Sequence, residues 1–425
     1  MLRRYKGILI ILDGLGDRGI PAFGGQTPLE AASTPNMNRL VKTGQAGLMD
    51  PMFPGLPLGT HTATGLLFGL PMAVAANLAR GPVEAAGIGI ANDPQAIYLR
   101  ANFATLETSG NDHLKILDRR CGRIDQGTAM LTSSLGEMDL GDGIKASLHP
   151  ATQHRVVVKL TGPELSVAIT NTDPGYHYLE TGLLDAQAKH PADPAAVRTA
   201  EAINRLTRIV FERLSEHPIN RQRQEQGLPP ANGVICRSPG RLPHLQTLIQ
   251  RYDLKTAVVA GEKTVLGLAA MLGYTQITEP SFTSLPDTAL ETKVIRSKLA
   301  LEEHDLVFLH IKGPDICSHD LNPAGKRELL ERIDNALAPL LDDELVIGIT
   351  GDHSTDSNSG RHTGDPVPSL IYAPQGRVDN CEVFSELEVA RGGLGRINSL
   401  GFLTSMLDMM NVPENYHPDD AALFH

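Results

Sequence analysis

The chain has 425 residues, of which 41% are hydrophobic and 20% charged, and its formal net charge is −11. These values describe an ordinary globular chain of two or three domains with ample core-forming material. They exclude a nonspecific nucleic-acid binder, which needs a basic footprint, but not a small anionic substrate held by a few local arginines and cations.

The N-terminal Met-Leu-Arg-Arg-Tyr-Lys is positively charged, yet the apolar run behind it ends at Asp13. That is too short for a secretory segment, and no run approaches about 18 apolar residues. Cys121, Cys236, Cys317 and Cys381 are widely spaced without a Cys-x-x-Cys pair, which suits a reducing compartment. The expectation is a cytoplasmic protein with no membrane partner.

Gly7–Leu12 reads as a parallel strand covered on both faces and ended by Asp13-Gly14. Thr27-Pro28-Leu29-Glu30 carries a capping box with Pro at the first helical position, predicting a helix start. Thr34-Pro35 repeats that start, and this second helix should stop at Gly44. Leu58-Gly59-Thr60 precedes a helix over Ala63–Leu67, with Thr60 near its N-terminus. Late in the chain, Ala257–Ala260 leads to a helix around Val265–Leu272. Leu306–Ile311 leads through a loop bearing Asp315 to a helix around Ala324–Leu340. Leu345–Ile349 leads into Asp352-His353, and Ser369–Tyr372 and a helix near Leu400–Met410 follow. This alternation predicts an α/β fold with a mostly parallel sheet between helix layers, in which ligands gather beyond the strands' carboxyl ends.

The middle of the chain differs. Ile97–Thr105, Arg155–Leu160 and Leu165–Thr170 read as short strands. A long helix capped by Asp193, with Pro194 first, should run to about Glu216, and Asn220–Pro230 reads as an exposed loop. Residues 96–245 are therefore expected to form a smaller α+β domain inserted into a core built from residues 1–95 and 246–425.

Asp13, Asp315 and Asp352 each follow a predicted strand within a few residues, so three distant segments converge on one sheet edge. With His319, His353 and His362 they offer oxygen and nitrogen ligands for two divalent cations. Such donors suit Mn²⁺ or Zn²⁺, with Mg²⁺ or Co²⁺ as alternatives and no organic cofactor. A pair of ions roughly 4 Å apart clamps an in-line phosphoryl displacement. Thr60 is the expected nucleophile, since a metal can stabilise its alkoxide and a helix N-terminus supplies amide donors for phosphate. Thr62 and Thr64 stand as alternatives. Cys317 lies between two of these ligands, but thiolates suit closed structural sites better.

Several islands resemble the archaeal-type, cofactor-independent phosphoglycerate mutases of the alkaline phosphatase superfamily. They include Leu12-Asp13-Gly14-Leu15-Gly16-Asp17-Arg18, Arg80-Gly81-Pro82-Val83-Glu84-Ala85, Asp118-Arg119-Arg120-Cys121-Gly122-Arg123 and His310-Ile311-Lys312-Gly313-Pro314-Asp315. Gly351-Asp352-His353-Ser354-Thr355 and His362-Thr363-Gly364-Asp365-Pro366 continue the set. The resemblance implies a phosphatase-like core with one metal on Asp13, Thr60, Asp352 and His353 and another on Asp315, His319 and His362. Lys312 would steady the nucleophile or the phosphate, and a phosphoenzyme would form while the inserted domain retains the acid. Water must then be kept out, or hydrolysis wins.

The resemblance departs at Gly59-Thr60-His61-Thr62-Ala63-Thr64, where members usually show Gly-Ser-Asp followed shortly by Ala-His. Threonine keeps the hydroxyl but its methyl stiffens χ1, and His61 replaces a negative charge with a titratable imidazole. Arg119, Arg120 and Arg123, joined by His154 with Arg155 beside it, are the expected substrate residues, because arginine grips carboxylate or phosphate in a fork. His61 is the expected substrate contact beside the nucleophile. The expected activity is a mutase-like phosphotransfer on a small phosphorylated carboxylic acid through a phosphothreonine. The alternatives are a phosphate-ester or phosphonate hydrolase, or a specialised mutase on a phosphonate-type substrate.

Overall fold

The structure, a computed structural model, describes residues 4–91, 93–109, 113–241, 247–341 and 344–412. The chain divides into two compact units, residues 1–78 with 245–425 and residues 79–244. The first break falls earlier than the sequence boundary at 95/96. Helix Arg80–Gly87 lies so close to strand Ile97–Ser109 that a Cβ on Gly81 would meet the Tyr98 carbonyl oxygen at 2.3 Å.

Among the described residues of the first unit, eight strands form one sheet. Their order is Thr275–Ile277, Thr256–Val259, Leu306–Ile311, Lys6–Leu12, Leu345–Thr350, Val367–Tyr372, Gln45–Asp50 and Gly395–Asn398. Lys6–Leu12 is central and parallel to both neighbours, with Leu12 opposite Ile311 and Ile11 opposite Thr350. Its residues Ile8 to Leu12 are fully buried, which is why the strand reads as an uninterrupted apolar run. Val367–Tyr372 runs antiparallel to both of its neighbours, so the sheet is mostly parallel rather than wholly so. The register brings the carboxyl ends of three adjacent parallel strands level. Asp13, Lys312 and Asp352 leave the sheet there.

Two expected features of this unit change. Thr27–Glu30 does form the reciprocal capping bonds, Thr27 N to Glu30 Oε2 at 2.9 Å and Glu30 N to Thr27 Oγ1 at 3.0 Å, but only a turn follows. Pro35 forces the chain extended before it and cuts that helix off below a stable length. The helix that survives, Pro35–Lys42, ends just before Gly44. Asp315 lies in helix Gly313–His319 rather than in a loop, so Asp315 and His319 share one helical face.

In the second unit, strand Ile97–Ser109 pairs antiparallel with His113–Asp118, Arg155–Thr161 and Gly233–Gly240, and the sheet continues through Lys145–Pro150 to Met138–Asp139. One face packs Leu99, Phe103, Val156 and Val158 against Ile203, Leu206 and Val210 of helix Pro194–Ser215. Because successive strand residues alternate faces, Arg100, Asn102, Arg155 and Arg237 share the other. Leu165–Thr170 is not a strand: it makes only an isolated bridge from Ile169 to Ala188, and Val167 is exposed. Nor is Asn220–Pro230 all loop. Helix Pro218–Glu225 starts on His217 and Pro218, and buried Asn220 donates to Leu214 O and Ala231 O at 2.8 and 3.1 Å. No helix among the described residues is long and apolar enough to cross a membrane.

Candidate metal centre

Asp13, Asp315 and Asp352 meet where the three strands end, all buried. Thr60 begins helix Thr60–Leu67 behind the extended Gly59. Its Oγ1 lies 3.4 Å from Asp13 Oδ2, 3.4 Å from His353 Nε2 and 3.2 Å from Lys312 Nζ. Lys312 Nζ also reaches Asp13 Oδ2 at 3.0 Å and Asp315 Oδ2 at 2.5 Å. Asp352 accepts from Gly14 N at 3.2 Å and Thr64 Oγ1 at 3.4 Å. Gly14 is required there: its φ is +66°, and a Cβ would stand 2.8 Å from both Asp315 Cβ and Thr355 Oγ1.

Burial disfavours charge on Asp13 and Asp315. It is outweighed at Asp13 by Lys312 with the bonds from His310 and His353, and at Asp315 by the bonds from His319 and His362 with Lys312. Both carboxyls are held well below the usual range. Asp352 moves the other way, raised by burial and by the Asp13 charge. Burial pulls the His353 imidazole down, but Asp352 and Asp13 push it up to about 9. Lys312 is likewise raised, its burial outweighed by Asp13 and Asp315. Three buried carboxylates against Lys312 and the raised His353 leave a deficit of positive charge.

The second cluster makes that deficit specific. His319 Nδ1 lies 2.7 Å from Gly360 O and His362 Nδ1 lies 2.7 Å from Leu58 O. A carbonyl only accepts, so each Nδ1 carries a proton, and in the neutral rings that a cation would bind each Nε2 presents its lone pair. Yet the two Nε2 atoms face each other at 3.2 Å, with Asp315 oxygens 3.3 and 3.5 Å from them. Two imidazole lone pairs and a carboxylate converging on one point suit a divalent cation. Candidate ligand atoms fall within 4.8 Å of one another in three groups: Asp315, His319 and His362; Asp13, Asp315 and His353; and Asp13, His310 and Asp352.

The structure therefore brings together Asp13, Thr60, Lys312, Asp315, His319, Asp352, His353 and His362. His61 is half-buried, with Nε2 3.2 Å from Thr62 Oγ1. Thr62 thus turns to His61, while Thr64 reaches Asp352. Sequence reasoning missed His310, whose Nε2 lies 3.1 Å from Asp13 Oδ2. It also missed Thr355, whose hydroxyl lies 2.8 Å from Asp315 Oδ1. His310 interrupts an otherwise apolar strand, the one signal that could have marked it.

In the second unit, Arg119 grips Asp173 with Nε and Nη2, both at 2.6 Å. Arg237 lies 3.5 Å from the same carboxylate, and Arg100 faces Glu84 at 2.8 Å. His154 is buried, and its Nδ1 has no hydrogen-bond partner among the described residues. Burial, then Arg155, Arg120, Arg119 and Arg123, push it down to about 4, so it is neutral at pH 7. Arg123 is exposed, with φ +58°. Arg100 and Arg237 are further basic residues that the sequence reading passed over, although Arg100 and Asn102 sit at every second position of a strand.

Residues 5–408 match the family described as Metalloenzyme superfamily. A 2,3-bisphosphoglycerate-independent phosphoglycerate mutase of Methanopyrus kandleri is 39% identical over 97% of this chain and 98% of the relative. One from Ignicoccus hospitalis is 40% identical over 96% and 98%. Among solved structures, a Pyrococcus horikoshii protein is similar with a TM-score of 0.81 at 32% identity, covering 98% of this chain and 100% of that one. A cofactor-independent phosphoglycerate mutase from Thermoplasma acidophilum gives 0.70 at 31%, covering 95% and 100%.

Proposed function

The chain belongs to the Metalloenzyme superfamily and, within it, to the 2,3-bisphosphoglycerate-independent phosphoglycerate mutases, and from this we propose that it moves a phosphoryl group between the two hydroxyls of a phosphoglycerate by way of Thr60. The observation that carries the reading is the Thr60 hydroxyl, held within 3.4 Å of Asp13, His353 and Lys312.

We assign one divalent cation to Asp13, Thr60, Asp352 and His353 and a second to Asp315, His319 and His362, with Mn²⁺ or Zn²⁺ the best match to this donor set. When bound, the cations make the threonine hydroxyl more acidic and neutralise phosphoryl charge. Lys312 keeps its proton, so its Nζ is a fixed positive charge beside Thr60 Oγ1 for a phosphoryl oxygen. Thr60 Oγ1 forms the new bond to phosphorus, the ester bond to the glycerate oxygen breaks, and the threonine proton balances the released alkoxide. The reverse step on the other hydroxyl regenerates Thr60, so no water enters the balance. The chain keeps this cycle with Thr60-His61 at the nucleophile: the β-methyl of Thr60 restricts the hydroxyl to few rotamers. His61 stands beside it as a substrate contact. The other proposed substrate residues lie within residues 79–244. Arg120, Arg123 and neutral His154 serve the carboxylate, and Arg119 orders that face through Asp173.

The test is phosphorus NMR of the Zn²⁺-loaded protein with 3-phosphoglycerate. Isomerisation without free phosphate is expected, and Thr60→Ala should abolish it while leaving the fold intact. Steady release of inorganic phosphate would instead make the protein a hydrolase. Activity surviving Thr60→Ala would overturn the nucleophile.

A further inference from the structure

One hydroxyl touches both clusters of candidate ligands. Thr355 is fully buried on the short strand Ser354–Asp356, directly across from His362 on its partner strand. Its backbone is held at both ends: Thr355 N donates to Gly16 O at 2.9 Å, and Thr355 O accepts from Lys326 Nζ at 3.3 Å. Its Oγ1 lies 2.8 Å from Asp315 Oδ1 and 3.2 Å from His353 Nδ1.

A hydroxyl has a single proton to give, and an ionised carboxylate can only accept. The Thr355 proton therefore goes to Asp315, and the bond to His353 must run the other way, from Nδ1–H to Oγ1. In the neutral ring that a cation would bind, this fixes the His353 tautomer and leaves Nε2, 3.3 Å from Asp13 Oδ1 and 3.4 Å from Thr60 Oγ1, as the atom offering a lone pair. The same contact orients Asp315 Oδ1, while Asp315 Oδ2 faces Lys312 and His319. Asp315 belongs to one assigned cation site and His353 to the other.

We propose that Thr355 is a positioning residue that couples the two cation sites, its hydroxyl setting the orientation of one ligand in each. The proposal rests on the two-cation reading above. It assigns Thr355 no contact with substrate. Partners that orient metal ligands typically contribute 10- to 100-fold in metal affinity, and loss of this hydroxyl removes the partner of two ligands at once.

The experiment titrates metal-free protein with Mn²⁺ alone and follows both binding steps in wild type, Thr355→Val and Thr355→Ser. Circular dichroism confirms the fold, and Thr355→Ala replaces the valine variant if that one does not fold. Both binding steps should weaken about 10- to 100-fold in Thr355→Val and return to within about threefold of wild type in Thr355→Ser. His362→Ala should weaken the remaining site in the wild-type background but not in the Thr355→Val background. Turnover of 3-phosphoglycerate should lose kcat with KM nearly unchanged. A folded Thr355→Val that binds two Mn²⁺ with wild-type affinity overturns the proposal, as does weakening confined to one site. A wild-type protein that binds no Mn²⁺ overturns the two-cation reading itself, which separates the two failures.

Discussion

Lys326 and Asp17 form an ion pair at 2.8 Å in which both side chains are wholly buried, and its removal gives a sharp test of what holds the metal centre. Lys326 Nζ also donates to Gly14 O at 2.8 Å and lies 3.3 to 3.4 Å from Thr355 O and Gly16 O. Asp17 accepts from Ser357 N at 2.9 Å and Ser357 Oγ at 2.5 Å. Ser357 Oγ meets Ser318 Oγ at 3.0 Å, between Asp315 and His319 on their helix. The pair thus ties together the three segments that carry the carboxylates. Lys326→Met keeps the aliphatic stem but leaves the Asp17 charge without its cation and two or three carbonyls without a donor. Breaking a buried pair from one side costs about 3–5 kcal/mol, whereas Asp17→Asn with Lys326→Met should cost less than the sum of the single changes, with a coupling of up to about 3 kcal/mol. Urea denaturation measures the loss. Because two compact units need not unfold together, hydrogen exchange of the peptide covering Lys6–Leu12 should be followed in parallel. A loss below about 1 kcal/mol for Lys326→Met, or strictly additive single losses, would refute the argument.

Two further outcomes follow from the same unit. A cation that binds only the folded protein, supplied at about 100 times its dissociation constant, adds ~2.7 kcal/mol of stability. Mn²⁺ should therefore raise Tm reversibly against a chelator, and Asp315→Ala should remove most of the rise. Glu386 offers a pH test away from the metal ligands: burial pushes its carboxyl up to about 7, with one hydrogen bond from Thr27 working against the rise. The folded state holds this proton at a pH where the unfolded chain, near 4.5, has lost it. Stability due to the group therefore falls as pH rises from about 4.5 to 7 and is level above that. Glu386→Gln should gain on the order of 1–3 kcal/mol over wild type at pH 8 and little at pH 4. A pH-independent difference in denaturation midpoint would reject the burial argument.

How much could be read from the sequence depended on whether a residue broke a pattern visibly. Asp13 and Asp352 stand at the ends of unbroken apolar strands, and Asp315 and His319 stand four apart, so their convergence followed from parallel-sheet geometry. The helix carrying the last two was missed because Lys312-Gly313-Pro314 looks like a turn. Yet Pro314 at an early helical position fits a helix start, since its missing N–H costs nothing there. Leu165–Thr170 failed for the opposite reason. An apolar run of strand length carries no information about its partner, and among the described residues this one makes a single bridge, from Ile169 to Ala188.

The residues that escaped, His310, Thr355, Lys326, Arg100 and Arg237, share one physical trait. Each is a polar group inside or beside an apolar stretch, and its meaning lies in a partner on another segment: Asp13 for His310, Asp315 for Thr355, Asp17 for Lys326, Glu84 for Arg100 and Asp173 for Arg237. His310 is separated from Asp13 by 297 positions and Lys326 from Gly14 by 312, so no local period could reveal either contact. Burial without a partner is costly, however, and that constraint works even without coordinates. A histidine within Leu306–Ile311 or a lysine at a core position of helix Pro323–Leu337 must find an acceptor or an acid. The strand-end carboxylates are the groups with unmet need. On this reasoning the polar exceptions within apolar elements carry the surroundings of the metal centre, just as the strand-end acids carry the centre itself.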